Sequence, residues 1–333
     1  MNSYTEFAKK NFRRSGYQFN WNYLKFLYEE NPYSRGLKDC RMVIKQGKVI
    51  GCIHSISSSF NVPGNKEIMF TGIHNFLVDK DNFGIGYKLL SDVLLRHENF
   101  FVPGVTGQLN SFYQKIGAQP IKNKWLRKFF MPNLLQFPLR FFGSNISSER
   151  FLTIKKRLAS KNIKLHNQNS PDLQAIILKE INSISCPTLS LEYILWRIFG
   201  KYNNDKQTFV MTLGDDYAVF SIGSRKYLPV LRLIYLSNQC SDDSCNMVAE
   251  LVRVGKASGA VGVLVALEDI KIINFLELSG YIEPNEIPKT YVYCKNDKGF
   301  YSPHWPLLGD YGFDEFYKFT SRKNTKSFNH YQS

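Results

Sequence analysis

The stretch TGIHNFLVDKDNFGIGYKLL, residues Thr71 to Leu90, changes its hydrophobic period halfway along. Its first part, Ile73 to Val78, is mostly apolar and β-prone, and it runs into a polar turn. After Gly84 and Gly86, apolar residues recur at helical spacing, namely Leu89, Leu90, Val93 and Leu94. We therefore predict a strand, a glycine loop and a helix, with the glycines at the N-terminus of the helix.

A loop of this kind can serve as an anion-binding site. The first turn of a helix has unpaired backbone N–H groups and the positive end of the helix dipole, and glycine lets an anion come close to the backbone. The alternative interpretation is a glycine turn that only connects the strand to the helix. The choice between the two depends on the rest of the chain.

Length and composition indicate a globular protein of more than one domain. The chain has 333 residues, of which 44% are hydrophobic, and this is enough for two substantial cores. The N-terminal residues lack the apolar region of a signal peptide, and no window approaches the about 18 apolar residues of a membrane span. We therefore expect a cytoplasmic protein without a membrane span.

The charge and the metal-ligating residues narrow the possible partners. The net charge of +15 suits nucleic acid, an acidic membrane surface or a polyanionic small ligand. No RNP-like aromatic motif, zinc finger or basic-region heptad accompanies the basic residues, so we expect no nucleic-acid partner. The six cysteines and six histidines are scattered without metal-ligand spacing, which favours reduced thiols and predicts no metal.

The second half of the chain repeats the first half in outline. In both halves an aromatic helix is followed by a hairpin, a strand, a helix, a further strand and a short helix. We predict a boundary near residue 145, which gives domains 1–145 and 146–333. The corresponding segments are Asn22 to Arg35 with Glu192 to Asp205, the strands ending at Val78 and Leu236, and Phe112 to Gln119 with Phe275 to Ile282.

The second copy lacks the glycine loop. Its corresponding residues, Asn238 to Ser244, contain no glycine, and the carboxylates of Asp242 and Asp243 would repel a phosphate. The sequence therefore predicts that only the first copy binds an anion.

The order of strand, GxG loop, helix, strand and then NSFYQKIG (Asn110 to Gly117) resembles the GNAT superfamily of acyl-CoA-dependent N-acyltransferases. The resemblance implies an α/β (mixed α+β) fold with two tandem GNAT-like domains, each a mixed sheet flanked by helices. It also implies acyl-CoA as the co-substrate, with its pyrophosphate on the loop amides. Asp81 stands where the family has Arg or Gln, so the loop match depends on Gly84, Ile85 and Gly86.

The resemblance also implies site residues. The residues expected to bind coenzyme A (CoA) are Phe76, Val78, Phe83, Gly84, Ile85, Gly86, Tyr87 and Asn110. Tyr113 corresponds to the tyrosine that gives a proton to the leaving thiolate, although it could instead simply pack on its helix.

A base and an oxyanion donor are needed for attack by an amine on a thioester. His74 is the candidate base because its intrinsic pKa is suitable, although a histidine on a strand is often only a hydrogen-bonded residue. Strand alternation places His74 and Phe76 on one face, and Ile73 and Asn75 on the other. A splayed strand at Phe76 to Val78 could donate a backbone N–H to the oxyanion.

The doubled aromatic helix and the segment HWPLLGD (His304 to Asp310) further resemble tandem GNAT proteins of surface-polysaccharide (lipopolysaccharide, O-antigen) biosynthesis. That resemblance implies acylation of a nucleotide-linked amino sugar, with dTDP as the expected carrier. We expect a monomer, because an internal repeat can bury within one chain the surface that single-copy relatives bury by dimerising. The candidate acceptor-binding residues are Trp21, Tyr28, Trp305 and Asp310. The alternative is that the aromatic residues belong to the core and that Asp310 caps a turn.

Two other functions remain open. The first is a FemAB-like transferase that uses aminoacyl-tRNA, which the basic surface would suit. The second is a non-catalytic, degenerate GNAT pair that binds an acidic partner through the basic and aromatic segment Lys122 to Phe142.

Overall fold

The computed structural model describes residues 2–11, 21–34, 40–64, 66–79, 81–82, 84–105, 109–130, 148–200, 207–225, 228–284 and 289–308. These residues form ten helices and thirteen strands, and the strands build two mixed sheets. Among them, no helix is long and apolar enough to cross a membrane.

The first half supplies four helices and six strands. In chain order they are α1 (Asn2–Asn11), α2 (Trp21–Tyr28), β1 (Cys40–Lys45), β2 (Lys48–Val62), β3 (Lys66–Val78), α3 (Ile85–Arg96), β4 (Asn99–Val105), α4 (Leu109–Lys115), β5 (Gln119–Pro120) and β6 (Lys124–Phe129).

The second half supplies the remaining elements. They are α5 (Ser148–Ala159), β7 (Lys164–His166), α6 (Pro171–Ser183), β8 (Thr188–Leu189), α7 (Leu191–Phe199), β9 (Gln207–Leu213), β10 (Asp216–Arg225), β11 (Leu228–Leu236), α8 (Asp242–Ser258), β12 (Gly262–Leu267), α9 (Ile270–Leu278), β13 (Lys289–Cys294) and α10 (Trp305–Leu308).

The first sheet runs β1-β2-β3-β4-β13-β5, with β8 paired to β2, and the second, in the opposite direction, runs β7-β9-β10-β11-β12-β6. Four successive strands therefore have the same order in both sheets, since β1-β2-β3-β4 corresponds to β9-β10-β11-β12. The predicted repeat of elements is confirmed. In each sheet the third and fourth strands of the repeat, β3 with β4 and β11 with β12, are parallel and are connected by a helix. A parallel pair requires such a crossover, which explains why α3 and α8 occupy equivalent places.

The two halves exchange one strand each. The strand β6, from the first half, pairs with β12 in the second sheet, and β13, from the second half, pairs with β4 in the first sheet. Residue 145 therefore separates the two strand–helix–strand units in sequence, but it does not separate the two sheets.

A shared core holds the sheets together. One cluster of buried residues joins Phe60, Phe70 and Phe101 of the first sheet to Ile234 of the second sheet and to Trp305. Aromatic rings supply much of the buried area of this cluster, and burial of apolar area is the main stabilising contribution.

Candidate functional site

The strands β3 and β4 form a fork. They pair only at Thr71 with Phe100 and at Gly72 with Phe101, although β3 continues to Val78 and β4 continues to Val105. The expected splay is therefore present. Beyond Gly72, the edge of β3 that faces β4 makes no ladder with another described strand, and its backbone groups can bond a ligand inside the fork.

A β-bulge in β3 sets the direction of the side chains in the fork. Cys52 pairs with Leu77 and His54 pairs with His74, so two residues of β3 lie opposite Ile53 alone. The extra residue reverses the alternation.

Because of the bulge, Ile73 and Phe76 pack in the same cluster against α3. His74 instead contacts the ring of Phe101, at 6.0 Å between centroids, and Phe101 belongs to the core between the sheets. The predicted placement of His74 and Phe76 on one face is therefore wrong, since it assumed an uninterrupted strand.

The glycine loop leaves open space at the start of α3. Gly84 has φ of 83° and ψ of −21°, and a Cβ added to it would meet nothing within 4 Å. Among the described residues, no side chain caps α3, and its first turn contains no acidic residue. The first-turn amides are therefore available to an anion.

Other residues expected to bind CoA lie around this loop. A Cβ on Gly86 would lie 3.3 Å from the ring of Phe76 and 3.4 Å from Val78, so this glycine lets α3 pack closely on β3. Ile85, the first residue of α3, packs against the same core as Phe76 and Val78. The side chain of Tyr87 is 72% exposed. Phe83 lies outside the described residues.

A lysine that sequence reasoning missed lies beside the loop. The Nζ atom of Lys10, on α1, lies 2.9 Å from Oδ2 of Asp79. The hydrogen bond and charge of Asp79 raise the pKa of Lys10, and the charge of Asp81 adds to this effect. Only folding brings these residues together, so no local pattern predicts the contact.

Two predicted residues project from the short helix α4. Tyr113 is 2% exposed and stacks on Tyr291 with 5.7 Å between ring centroids. Burial raises the pKa of Tyr113 to about 12, so its hydroxyl keeps its proton at neutral pH. The Oδ1 atom of Asn110, one helical turn earlier, is buried and has no hydrogen-bond partner in the described part of the chain. A buried acceptor of this kind needs a donor, which a bound ligand could provide.

A pair of histidines from neighbouring strands, His54 of β2 and His74 of β3, lies on the face of the sheet opposite α3. His54 lies directly across from His74, and its Nε2 atom lies 3.2 Å from the hydroxyl oxygen of Tyr4. Burial, followed by the charge of His74, lowers the pKa of His54 to about 3, so His54 is neutral at physiological pH.

The candidate acceptor-binding aromatic residues lie in the core. Tyr28 is 1% exposed and packs with Leu24 and Phe26. Trp305 is 2% exposed, and its ring lies within 5.9 Å of four phenylalanine rings. Neither offers an exposed ring to a ligand here, so their role in acceptor binding stays a prediction. The side chain of Trp21 and all of Asp310 lie outside the described residues.

The second half has an equivalent fork, with a cavity of about 660 Å³ beside the ends of its two strands. The strands β11 and β12 pair from Val230 to Arg232 and then separate. The Oε1 atom of Gln239 accepts hydrogen bonds from the backbone N–H groups of Glu268 and Asp269, both at 3.0 Å.

The helix of the second fork is also capped by its own residues. Ser241 caps α8 through the N–H of Ser244, and Asp242 and Asp243 occupy the first turn. The hydroxyl group of Ser241 satisfies a backbone N–H group at the start of α8, and the two aspartates make this end of the helix negative. Both effects disfavour a phosphate.

A buried carboxylate connects this second fork to the C-terminal segment. The hydroxyl groups of Tyr217 and Tyr235 each donate to the carboxylate of Glu180 at 2.7 Å. Nδ1 of His304 accepts the N–H of Leu189, so its Nε2 carries the proton and faces Glu180 at 3.4 Å. The arrangement leaves both carboxylate oxygens hydrogen-bonded, which indicates a structural role.

We expect Tyr235→Phe to lower the free energy of unfolding by about 1.5–3 kcal/mol, because it removes a hydrogen bond to a buried charged group. Urea denaturation of the variant and the wild type measures the difference. Tyr281→Phe is the matched control, since the buried Tyr281 hydroxyl has no partner among the described residues. Equal losses in the two variants would contradict a stabilising role for the contact with Glu180.

Of the comparisons with known proteins, the one with solved structures bears on the fold. No protein-family model matches the chain, and no curated protein matches it. A GCN5-related N-acetyltransferase from Anabaena variabilis superposes with a TM-score of 0.51 at 11% identity, over 89% of this chain and 70% of that one. This likeness shows the fold alone: the chain has the mixed α/β fold expected from its sequence.

Two further solved structures are more distant. A GCN5-related N-acetyltransferase from Kribbella flavida gives a TM-score of 0.47 at 12% identity, over 78% of this chain. Eis1 from Mycobacterium abscessus gives 0.44 at 14% identity, also over 78% of this chain. The matched region spans 62% of the Kribbella protein and 65% of Eis1.

Proposed function

We propose that this protein transfers an acyl group from acyl-CoA to an amine, in the fork between β3 and β4. The observation that supports the proposal most is that this fork ends at an uncapped, glycine-started helix, whereas the helix of the second fork is capped by Ser241 and has two aspartates in its first turn. The anionic end of an extended ligand is therefore favoured at the first fork and disfavoured at the second.

The binding step uses backbone groups. The first-turn amides of α3 hold the pyrophosphate, and the open space at Gly84 lets it approach. The free edge of β3 from Ile73 to Val78 pairs with the amide groups of the pantetheine arm, as an added strand would. Acyl-CoA supplies the activated acyl group when it is bound.

The chemical step uses the fork and the helix α4. A backbone N–H of β3 stabilises the negative charge that develops on the thioester oxygen when the amine attacks. His74, or a water chain that leads to it, takes the proton of the amine. The carbon–sulfur bond then breaks, and Tyr113 gives its proton to the leaving thiolate. Amide and free CoA are the products.

We expect Lys10→Ala to weaken CoA binding about five- to tenfold, because its exposed ion pair with Asp79 contributes little and the ammonium group can turn to a phosphate. Titration calorimetry at low and high salt measures the loss, which salt should reduce. Lys124→Ala, which breaks an exposed ion pair with Glu277, is the control. Equal affinity in Lys10→Ala and wild type would remove Lys10 from the site.

For the acceptor we propose a nucleotide-linked amino sugar, with dTDP as the carrier, modified in the cytoplasm by a monomer. The net charge of +15 supports an acceptor with a diphosphate, since CoA and a nucleotide sugar are both polyanions. The resemblance to acyltransferases of surface-polysaccharide biosynthesis supports the same acceptor.

Release of free thiol from acetyl-CoA tests the proposal directly. The assay uses a panel of nucleotide-linked amino sugars, with the corresponding hydroxy sugars as controls. Turnover with an amino sugar alone is the expected result. CoA binding without turnover on any amino sugar would reject this acceptor class and favour a binding module. Aminoacyl transfer from tRNA, without CoA binding, would favour the FemAB-like alternative.

A further inference from the structure

A second cavity, of about 650 Å³, lies away from the glycine loop. It lies at the start of β3 and β4, next to the C-terminal end of α3. Its polar lining includes Arg41, Ser55, Ser57, Glu67, Thr71 and Arg96. Ile73 and Phe100, which lie next to it along the strands, are buried in the core and do not line it. The cavity is therefore distinct from the fork.

The floor of the cavity contains two hydroxyl groups. Ser55 is 3% exposed and lines the cavity. Thr71 also lines it, and Oγ1 of Thr71 lies 2.9 Å from Nδ1 of His97. A serine hydroxyl can donate and accept hydrogen bonds, so the Ser55 side chain can bond a ligand inside the cavity.

The rim of the cavity carries two available guanidinium groups. Across the described ranges, neither Arg41 nor Arg96 forms an ion pair or hydrogen bond through its side chain. Two further carboxylates line the cavity: that of Glu98 is bound to Lys295 at 2.7 Å, and Oδ1 of Asp297 accepts the N–H of Gly299 at 2.9 Å. Two guanidinium groups that face one cavity suit a phosphate, which accepts several charge-assisted hydrogen bonds.

We propose that this cavity binds a phosphate-bearing, hydroxyl-rich small molecule of the sugar phosphate class. Arg41 and Arg96 bind the phosphate, Ser55 bonds a hydroxyl group on the floor, and the carboxylate of Glu67 accepts a second hydroxyl group. The volume is in the range of small-molecule sites, which is about 300–1,000 Å³. The site does not depend on the proposed acyl transfer.

Glucose 1-phosphate is a suitable probe, with glucose as the uncharged control, and titration calorimetry gives the affinity. The titrations are carried out on the full chain and on Gly84→Glu, which blocks the glycine loop. We expect glucose 1-phosphate to bind equally well to both proteins and glucose to bind to neither. Loss of binding in Gly84→Glu would assign the phosphate to the glycine loop and overturn the proposal, as would the absence of binding to the full chain.

Substitutions in the cavity then locate the site. Arg41→Gln and Arg96→Gln should each weaken binding of glucose 1-phosphate about tenfold, because each removes a charge-assisted bond. Ser55→Ala should weaken it less and leave the fold intact. Arg157→Gln, an exposed arginine on α5, is the control. Unchanged affinity in both arginine variants would overturn the proposal, and CoA binding by these variants shows separately whether the fork is intact.

Discussion

Gly84→Glu is expected to abolish the stabilisation of this protein by CoA. At a CoA concentration of 100 times the dissociation constant, the wild type should gain about 2.7 kcal/mol in free energy of unfolding, and the variant should gain none. The new carboxylate would occupy the open space beside Gly84, where it would exclude the pyrophosphate and repel it. Thermal unfolding with and without CoA measures the effect.

Gly47→Glu is the matched control for this prediction. Gly47 also has a positive φ, of 74°, and a Cβ there would also meet nothing within 4 Å. Both substitutions therefore lower the free energy of unfolding by a similar amount, about 1–2 kcal/mol, because a residue with a Cβ is strained at positive φ. We expect Gly47→Glu to keep the full stabilisation by CoA. If Gly84→Glu keeps it as well, the pyrophosphate does not bind at the start of α3.

Tyr113→Phe is expected to lower kcat about 100-fold, since a positioned general acid contributes at least this much. The affinity for CoA should not change, because the ring remains stacked on Tyr291. Burial raises the pKa of Tyr113 to about 12, so the wild-type hydroxyl keeps its proton throughout the neutral pH range. Steady-state rates with acetyl-CoA and an accepted amine measure the loss.

The neighbouring tyrosine provides the control for Tyr113. Tyr291→Phe removes a buried hydroxyl group that has no hydrogen-bond partner among the described residues, from the ring that stacks on Tyr113. We expect a rate close to that of the wild type. Equal rate losses in the two variants would indicate that packing, and not proton donation, explains the effect at Tyr113.

Local sequence patterns predicted the elements of the fold well. The strand ending at Val78, the glycine loop and the helix α3 follow from a change of hydrophobic period within 20 residues. The repeat in the second half is also visible, because its elements have the same order and type. The sequence also shows that only the first helix begins with glycine and only the second has aspartates in its first turn, and the prediction that the first alone binds an anion stays a prediction.

The pairing of strands that are distant in the sequence could not be predicted in the same way. The strands Lys124–Phe129 and Lys289–Cys294 were not predicted, and no local pattern shows that each joins the sheet of the other half. The bulge opposite Ile53 has no local signal, so uniform alternation placed His74 on the wrong face relative to Phe76.

Long-range contacts at the site were equally invisible in the sequence. Lys10 reaches Asp79 only because α1 lies near the end of β3. From the sequence, the aromatic residues Tyr28 and Trp305 were compatible with either a core or a binding surface. Only the folded chain shows that both are buried.

Calorimetric titration of the full chain with CoA tests the central claim most directly, because the two forks predict its stoichiometry. One fork ends at an uncapped helix, and in the other Ser241 caps the helix and two aspartates occupy its first turn. We predict one CoA per chain, with binding lost in Gly84→Glu. No binding, two sites per chain, or one site that survives Gly84→Glu would contradict the assignment of the first fork as the acyl-CoA site.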